Sequence, residues 1–294
     1  MKKLRVAFYA STNHRFDLGI SGSMRGGVRA CGDRYSVLSI ADYRGEPSAD
    51  VDVACFMGVK NKSRLVYDSY RAAGKHTLVF DKGYTRLGGG ALGTLYWRAV
   101  LDDFQPAPAV LRAAYPTDRW DRLNLTIKPQ RRARKGCILF CGGSQKYCNW
   151  HDLGDANQYA RSVLDAASAY TSRELVYRPK PSWSGALSLA GYGYSDAEAR
   201  FRNELERTFH VVTFGSNAAF EALLAGVPAL VLGDGVAQVL ARTSLADIED
   251  PLYPDVDEVY RLGCAVAYHQ WTLAELDDGT FWRYLRERLL PAEA

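Results

Sequence analysis

Short apolar runs alternate with amphipathic stretches along the first third of the chain. Leu4–Ala10 (LRVAFYA), Tyr35–Ile40, Val51–Phe56 (VDVACF) and His76–Asp81 (HTLVFD) each have the length and texture of a strand. Ser63–Ala73 carries helical spacing before the last of these, and Gly74 ends it. Strands separated by helix-length segments predict βαβ units and a parallel sheet. Pro106, Pro108, Pro116 and Pro129 then interrupt the pattern, and the basic cluster Arg131, Arg132, Arg134, Lys135 closes the interruption.

The alternation restarts with Gly136–Cys141 (GCILFC) as a strand and Asp155–Tyr170 as a helix. Glu174–Tyr177 is a short strand, Asp196–Arg207 a charged amphipathic helix, and His210–Phe214 a strand. Ser216–Ala225 is a helix, Ala229–Leu232 a strand, and the tail from Val256 to Arg288 is largely helical. The prediction is an α/β fold of two Rossmann-like βαβ domains facing each other across a cleft. Residues 1–130 form an acceptor-side domain and residues 131–294 a ligand-binding one, with the terminal helices able to pack back on the first.

Composition changes this picture little. At 47% hydrophobic and 24% charged, the 294 residues suit an ordinary globular core. A net charge of +4 permits a nucleotide or a nucleic acid and demands neither. Met1-Lys2-Lys3 leads directly into a strand, and no apolar stretch is long enough to span a membrane, so a cytoplasmic chain with reduced thiols is expected. Cys137, Cys141, Cys148 and His151 do not have the spacing of a zinc set, and the first two straddle a strand, so no metal is expected.

In open α/β sheets ligands bind beyond the carboxyl ends of the strands, and the chemistry-bearing residues cluster there. In His210–Asp234 (HVVTFGSNAAFEALLAGVPALVLGD) a strand runs into Gly215-Ser216-Asn217. Ser216 can cap the following helix, whose free N–H groups and positive dipole end suit a diphosphate. Glu221 is the one charge in the helix and has ribose hydroxyls as natural partners. Gly142-Gly143-Ser144, with Lys146 beyond, forms a second phosphate-friendly turn that lacks the Walker A spacing. In Tyr177–Trp183 (YRPKPSW) prolines stiffen the loop that presents Arg178 and Lys180.

In the first half, Asp81 stands at a strand end as a candidate general base, and Lys82 and Arg86 as holders of an anionic acceptor. Asn13 and His14 follow the first strand and are further acceptor-side candidates. Gly22–Gly27 is glycine-rich without a dinucleotide fingerprint. Thr272 with Glu275 reads as a capping box.

The stretch GSNAAFEALLAGVPALVLGD resembles the donor-site motif of GT-B glycosyltransferases, and Gly142-Gly143-Ser144 resembles their diphosphate loop. Arg178-Pro179-Lys180-Pro181 is similar to the Arg-Pro-x-Pro loop of some transferases acting on capsular sugars and sialic acid. The resemblance covers roughly Gly136 to Asp234 and is architectural in the first half. It implies a GT-B-like fold and transfer of a sugar from a nucleotide-sugar, by default a UDP-sugar, to a hydroxyl, with no metal cofactor. Ser216 and Asn217 would lie near the phosphates and Glu221 near the ribose. The Lys82–Arg86 loop and YRPKPSW also resemble compact transferases of tailed bacteriophages, which suggests 5-hydroxymethylpyrimidine in phage DNA as acceptor and the host cytoplasm as location. Arg64, Arg71 and Arg131–Lys135 would then meet the phosphate backbone. The alternatives are transfer to a surface saccharide, a sugar-nucleotide epimerase of the same fold, and a non-catalytic nucleotide- or DNA-binding protein.

Overall fold

A computed structural model describes residues 2–85, 96–196 and 200–290. The chain divides into two compact units, Met1–Phe104 with Tyr268–Ala294, and Gln105–Ala267.

The first unit contains β1 (Arg5–Ala10), α1 (Arg15–Ala30), β2 (Arg34–Ser39), β3 (Val53–Met57), α2 (Asn61–Ala72), β4 (His76–Lys82) and β5 (Trp97–Leu101). β1 to β4 are parallel in the order β2-β1-β3-β4, and β5 pairs antiparallel with β4. β3 is buried along its whole length, which is why VACFM reads as a continuous apolar run rather than an alternating one. Gly74 stops α2 with φ +67°, a left-handed conformation that favours glycine.

Gly26 and Gly27 lie inside α1, and a Cβ on Gly27 would stand 2.0 Å from the carbonyl oxygen of Leu276. These glycines therefore let the returning tail approach the helix backbone.

The second unit opens with two single turns, α3 (Pro108–Leu111) and α4 (Asp118–Asp121). It continues through β6 (Cys137–Cys141), α5 (Gln145–Trp150), α6 (Ala156–Ala167), β7 (Leu175–Arg178), β8 (Gly193–Tyr194) and α7 (Phe201–Glu206). β9 (Thr208–Thr213), α8 (Asn217–Leu224), β10 (Ala229–Val231) and α9 (Val256–Ala267) complete it. All five strands are parallel, in the order β10-β9-β6-β7-β8. α7 begins at Phe201 rather than at Asp196, and residues 197–199 lie outside the described residues.

The proline-broken segment belongs to this unit. The amides of Lys128 and Arg131 donate to the carbonyls of Leu224, the last residue of α8, and Gly226 just beyond it, at 2.9 and 2.7 Å. Trp120 meets Phe220 edge-on, with ring centroids 6.1 Å apart. The first unit therefore ends at Phe104, before the change of texture seen in the sequence.

The tail returns to the first unit as β11 (Gln270–Trp271), α10 (Leu273–Asp277) and α11 (Thr280–Leu289). β11 pairs antiparallel with β5, and Thr272 with Glu275 completes a reciprocal capping box on α10. Asp33, 5% exposed, fastens α11 by accepting from the Leu4 amide (2.9 Å), Trp282 Nε1 (2.8 Å) and Arg286 Nε (2.9 Å). Among the described residues no helix is long and apolar enough to cross a membrane.

Candidate functional site

β6, β7 and β9 lie side by side in the middle and flank of the second sheet, all pointing the same way. Their carboxyl ends run into Gly142–Ser144, Arg178–Lys180 and Phe214–Asn217, so adjacency in the sheet gathers three stretches that are far apart in sequence. Ser216 is the N-cap of α8, and its Oγ accepts from the Ala218 amide at 3.2 Å. Asn217 opens the helix, half-buried, and Glu221 is half-buried one turn on.

The glycines here have stated reasons. A Cβ on Gly215 would stand 1.9 Å from the Asp234 carbonyl oxygen and 2.7 Å from the Tyr147 hydroxyl. A Cβ on Gly142 would meet the Tyr177 ring at 2.8 Å, and one on Gly143 the Tyr147 ring at 2.8 Å. The turn after β6 is thus glycine-rich because two tyrosine rings cover it. Ser144 caps α5 without a side-chain bond to it, and Lys146 is exposed on that helix.

Arg178 is 6% exposed and donates from Nη1 to Ser195 Oγ (2.8 Å) and the Asp196 carbonyl (2.7 Å). Its guanidinium lies 5.6 Å from the Phe201 ring centroid. Arg178 therefore braces its loop from beneath, whereas Lys180 is the exposed cation of the pair. Burial pushes the Cys141 thiol up to about 12, with Arg178 lowering it and Glu221 and Glu204 raising it. The charges of Arg178 and Glu221 are thus both felt at the end of β6.

The sequence reading did not single out the aromatic wall beside these turns. The rings of Tyr147 on α5 and of His151, which caps the C-terminus of that helix, stand 4.5 Å apart, and Phe214 lies 5.0 Å from His151 and 6.2 Å from Tyr147. The spacing of Tyr147 and His151, one helical turn apart, was the available signal.

In the first unit, Asp81 is ion-paired with the buried Arg98 at 2.9 Å, its cross-strand neighbour, and also accepts from the Lys82 amide at 2.7 Å. Arg98 stacks on Phe104 at 3.9 Å. His14 Nδ1 lies 2.7 Å from Oδ1 of Asp17. Asn13 and Lys82 are exposed. Arg86 lies outside the described residues. Arg131, first of the basic cluster, donates to the carbonyls of Leu205 and Glu206, both at 2.9 Å, and so serves the fold. Among the described residues no three His, Cys, Asp or Glu side chains are grouped to hold a metal ion.

Two Rossmann-like α/β units, the first with a mostly parallel sheet and the second with a fully parallel one that gathers turns at its strand ends, make this a fold of the GT-B glycosyltransferase type. The KpsC β-Kdo 2,4-transferase of Thermosulfurimonas dismutans is similar, with a TM-score of 0.53 at 13% identity over 90% of this chain and 91% of that one. The KpsC β-Kdo 2,7-transferase of the same organism gives 0.46 at 12% identity, covering 95% and 99% of the two chains. The glycosyltransferase SnogD of Streptomyces nogalater gives 0.29 at 12% identity, covering 97% and 99%. No protein-family model and no curated protein sequence matches the chain.

Proposed function

We propose that the protein transfers a sugar from a nucleotide-sugar to a hydroxyl acceptor, with the donor held by the second unit. The observation that carries this reading is the convergence of the turns after β6, β7 and β9 at one end of a parallel sheet. The α8 N-terminus, capped by Ser216, offers amides and a positive dipole end to the donor phosphates. Lys180, exposed in the loop after β7, supplies a positive charge where negative charge grows on the departing nucleotide. Glu221 accepts from the ribose hydroxyls, and the Tyr147, His151 and Phe214 rings offer a stacking surface for the base.

Titration calorimetry with UDP-, GDP-, CMP- and dTDP-sugars tests it. One nucleotide class binds, Glu221→Ala weakens that binding at least tenfold, and Lys180→Ala lowers turnover more than affinity. Absence of binding by all four classes, or an unchanged affinity in the Glu221 variant, refutes the donor site.

A further inference from the structure

A sheet edge exposes unpaired backbone N–H and C=O groups, and proteins blunt such edges by keeping them short, charged, bulged or covered. Among the described residues the two sheets have four edges, and three are short. β11 and β8 have two residues each, and β10 has three. β2 differs. It has six residues, pairs with β1 in unbroken register, and has no described strand on its outer side. Tyr35–Ser39 (YSVLS) contains no charge, no proline and no glycine.

The backbone of β2 faces outward at alternate residues. The amides of Arg34 and Ile40 donate to the carbonyls of Leu4 and Ala10 on the β1 side, both at 2.9 Å. Even-numbered positions therefore turn toward β1, and Tyr35, Val37 and Ser39 present their N–H and C=O groups to the outside. The Ser39 carbonyl also accepts from the Asp42 amide at 3.3 Å, and its second lone pair remains.

The side chains on this edge are apolar and reachable. Val37 is 39% exposed and Leu38 37%. The Tyr35 hydroxyl donates to the Ser21 carbonyl at 2.8 Å, so Tyr35 and, two residues on, Val37 face α1. α1 runs back against the strand direction, and Leu18, one turn from Ser21 toward the level of Val37, is 51% exposed. The two ends of the edge carry opposite charge. Arg34 opens β2 and Asp42 follows it; both are exposed, and neither is ion-paired among the described residues.

We propose that β2 is the seam of a two-fold homodimer, in which the β2 strands of two copies pair antiparallel and join their sheets. Only outward residues set against outward residues form bonds, and centring the axis on Val37 engages all three. Val37 exchanges both backbone hydrogen bonds with its counterpart, and Tyr35 does so with Ser39 of the other copy. An axis perpendicular to the sheet keeps each face on its own side. Val37 and Leu18 of both copies therefore gather on the α1 face. Charge selects the same arrangement, because the Arg34 end of each strand meets the Asp42 end of the other. A foreign strand would need this charge order by coincidence, whereas a second copy carries it of necessity. The contact uses up both β2 edges, so assembly stops at two. It is independent of the donor site, whose strands lie in the other sheet.

Sedimentation equilibrium of the full-length protein from about 1 μM to about 1 mM tests the proposal. The parent reaches the mass of two chains within that range. Val37→Lys sets two cations against each other on the axis. It raises the dimer dissociation constant at least a hundredfold, with the far-UV circular dichroism unchanged. At low salt, Arg34→Glu raises the constant at least fivefold, and Arg34→Glu/Asp42→Arg, which restores opposite charge at the two ends, returns it to within twofold of the parent. Val37→Cys gives a cross-linked dimer with oxidised glutathione at a yield the parent, with its own cysteines, does not reach.

A monomer at every concentration overturns the proposal, as does a mass beyond two chains. A dimer that folded Val37→Lys leaves unchanged overturns it equally. If Val37→Lys fails to fold, the charge exchange and the cross-link decide, and absence of either the rescue or the cross-link refutes the antiparallel seam.

Discussion

The hydroxyl of Thr213 donates to the carbonyl oxygen of Cys141 at 3.0 Å. The Thr213 hydroxyl oxygen in turn accepts from the Ser216 amide at 3.2 Å, so one side chain joins the last residues of β9 and β6 to the cap of α8. Thr213 is 1% exposed, and water cannot replace either bond. Thr213→Val keeps the shape and removes both bonds, leaving a buried group short of a partner at a cost of about 1–3 kcal/mol. The expected result is a stability loss of that size in urea unfolding. A fall in nucleotide-sugar affinity of roughly tenfold accompanies it, equivalent to about 1.4 kcal/mol. If calorimetry gives the parent affinity, Thr213 does not set the geometry of the turn.

Gly215→Ala probes the same turn from the other side. The new Cβ would fall 1.9 Å from the Asp234 carbonyl oxygen, a backbone atom that cannot swing away as a side chain would. The turn or the segment after β10 must shift, and overpacking of this kind costs about 1–3 kcal/mol. Donor affinity should drop more than tenfold. Parent-like donor affinity would show that the phosphates do not approach Gly215.

Much of this arrangement is legible in the residues, for identifiable reasons. Strands buried on both faces, such as VACFM, announce themselves as continuous apolar runs, and Gly74 and Gly226 mark helix ends because both need positive φ. The three turns of the second sheet are readable because parallel topology places every strand's carboxyl end on one side. β5, β8 and β11 escape notice in the sequence. β8 and β11 have two residues each, and β11 forms only because β5 offers an edge 173 positions before Gln270, counted from Trp97. Arg178 looks like a ligand cation in sequence, and only its bonds to Ser195 and Asp196 reveal a brace. Asp17 is invisible as a partner for His14 because its burial depends on the packing of α1 and Lys60.

Asp33 makes a separate prediction about the returning tail. Its carboxylate, which accepts from the Leu4 amide, the Trp282 indole and Arg286, is buried, so removing its charge leaves a cation and two donors underpaired. Breaking one member of a buried pair typically costs about 3–5 kcal/mol, and Arg286, being partly exposed, recovers some of that from water. Asp33→Asn should therefore lose about 2–4 kcal/mol in urea unfolding. Because Arg286 acts through the same carboxylate, the double variant Asp33→Asn/Arg286→Met should lose less than the sum of the singles. Strict additivity would mean that the two side chains act independently.

His210 predicts how stability responds to acid. The residue is fully buried on β9, and Nδ1 lies 3.0 Å from the Ile248 carbonyl oxygen, to which it donates when the ring is neutral. Burial holds the imidazole below its ordinary 6.5, with the Ile248 and Ala229 backbone and Glu249 pulling the other way and Arg242 adding to the depression. The unfolded chain therefore binds a proton more readily than the folded one, and the stability gained from a neutral ring is present above about pH 6.5. It is lost as pH falls from there through the folded value. His210→Asn retains a donor for Ile248 and cannot take up the proton. Urea unfolding between about pH 7.5 and pH 5 should show the parent losing stability on acidification more steeply than the variant, with the two curves diverging below about pH 6.5. Parallel curves across that range would mean that the ring is protonated equally in both states and that burial at β9 does not govern it.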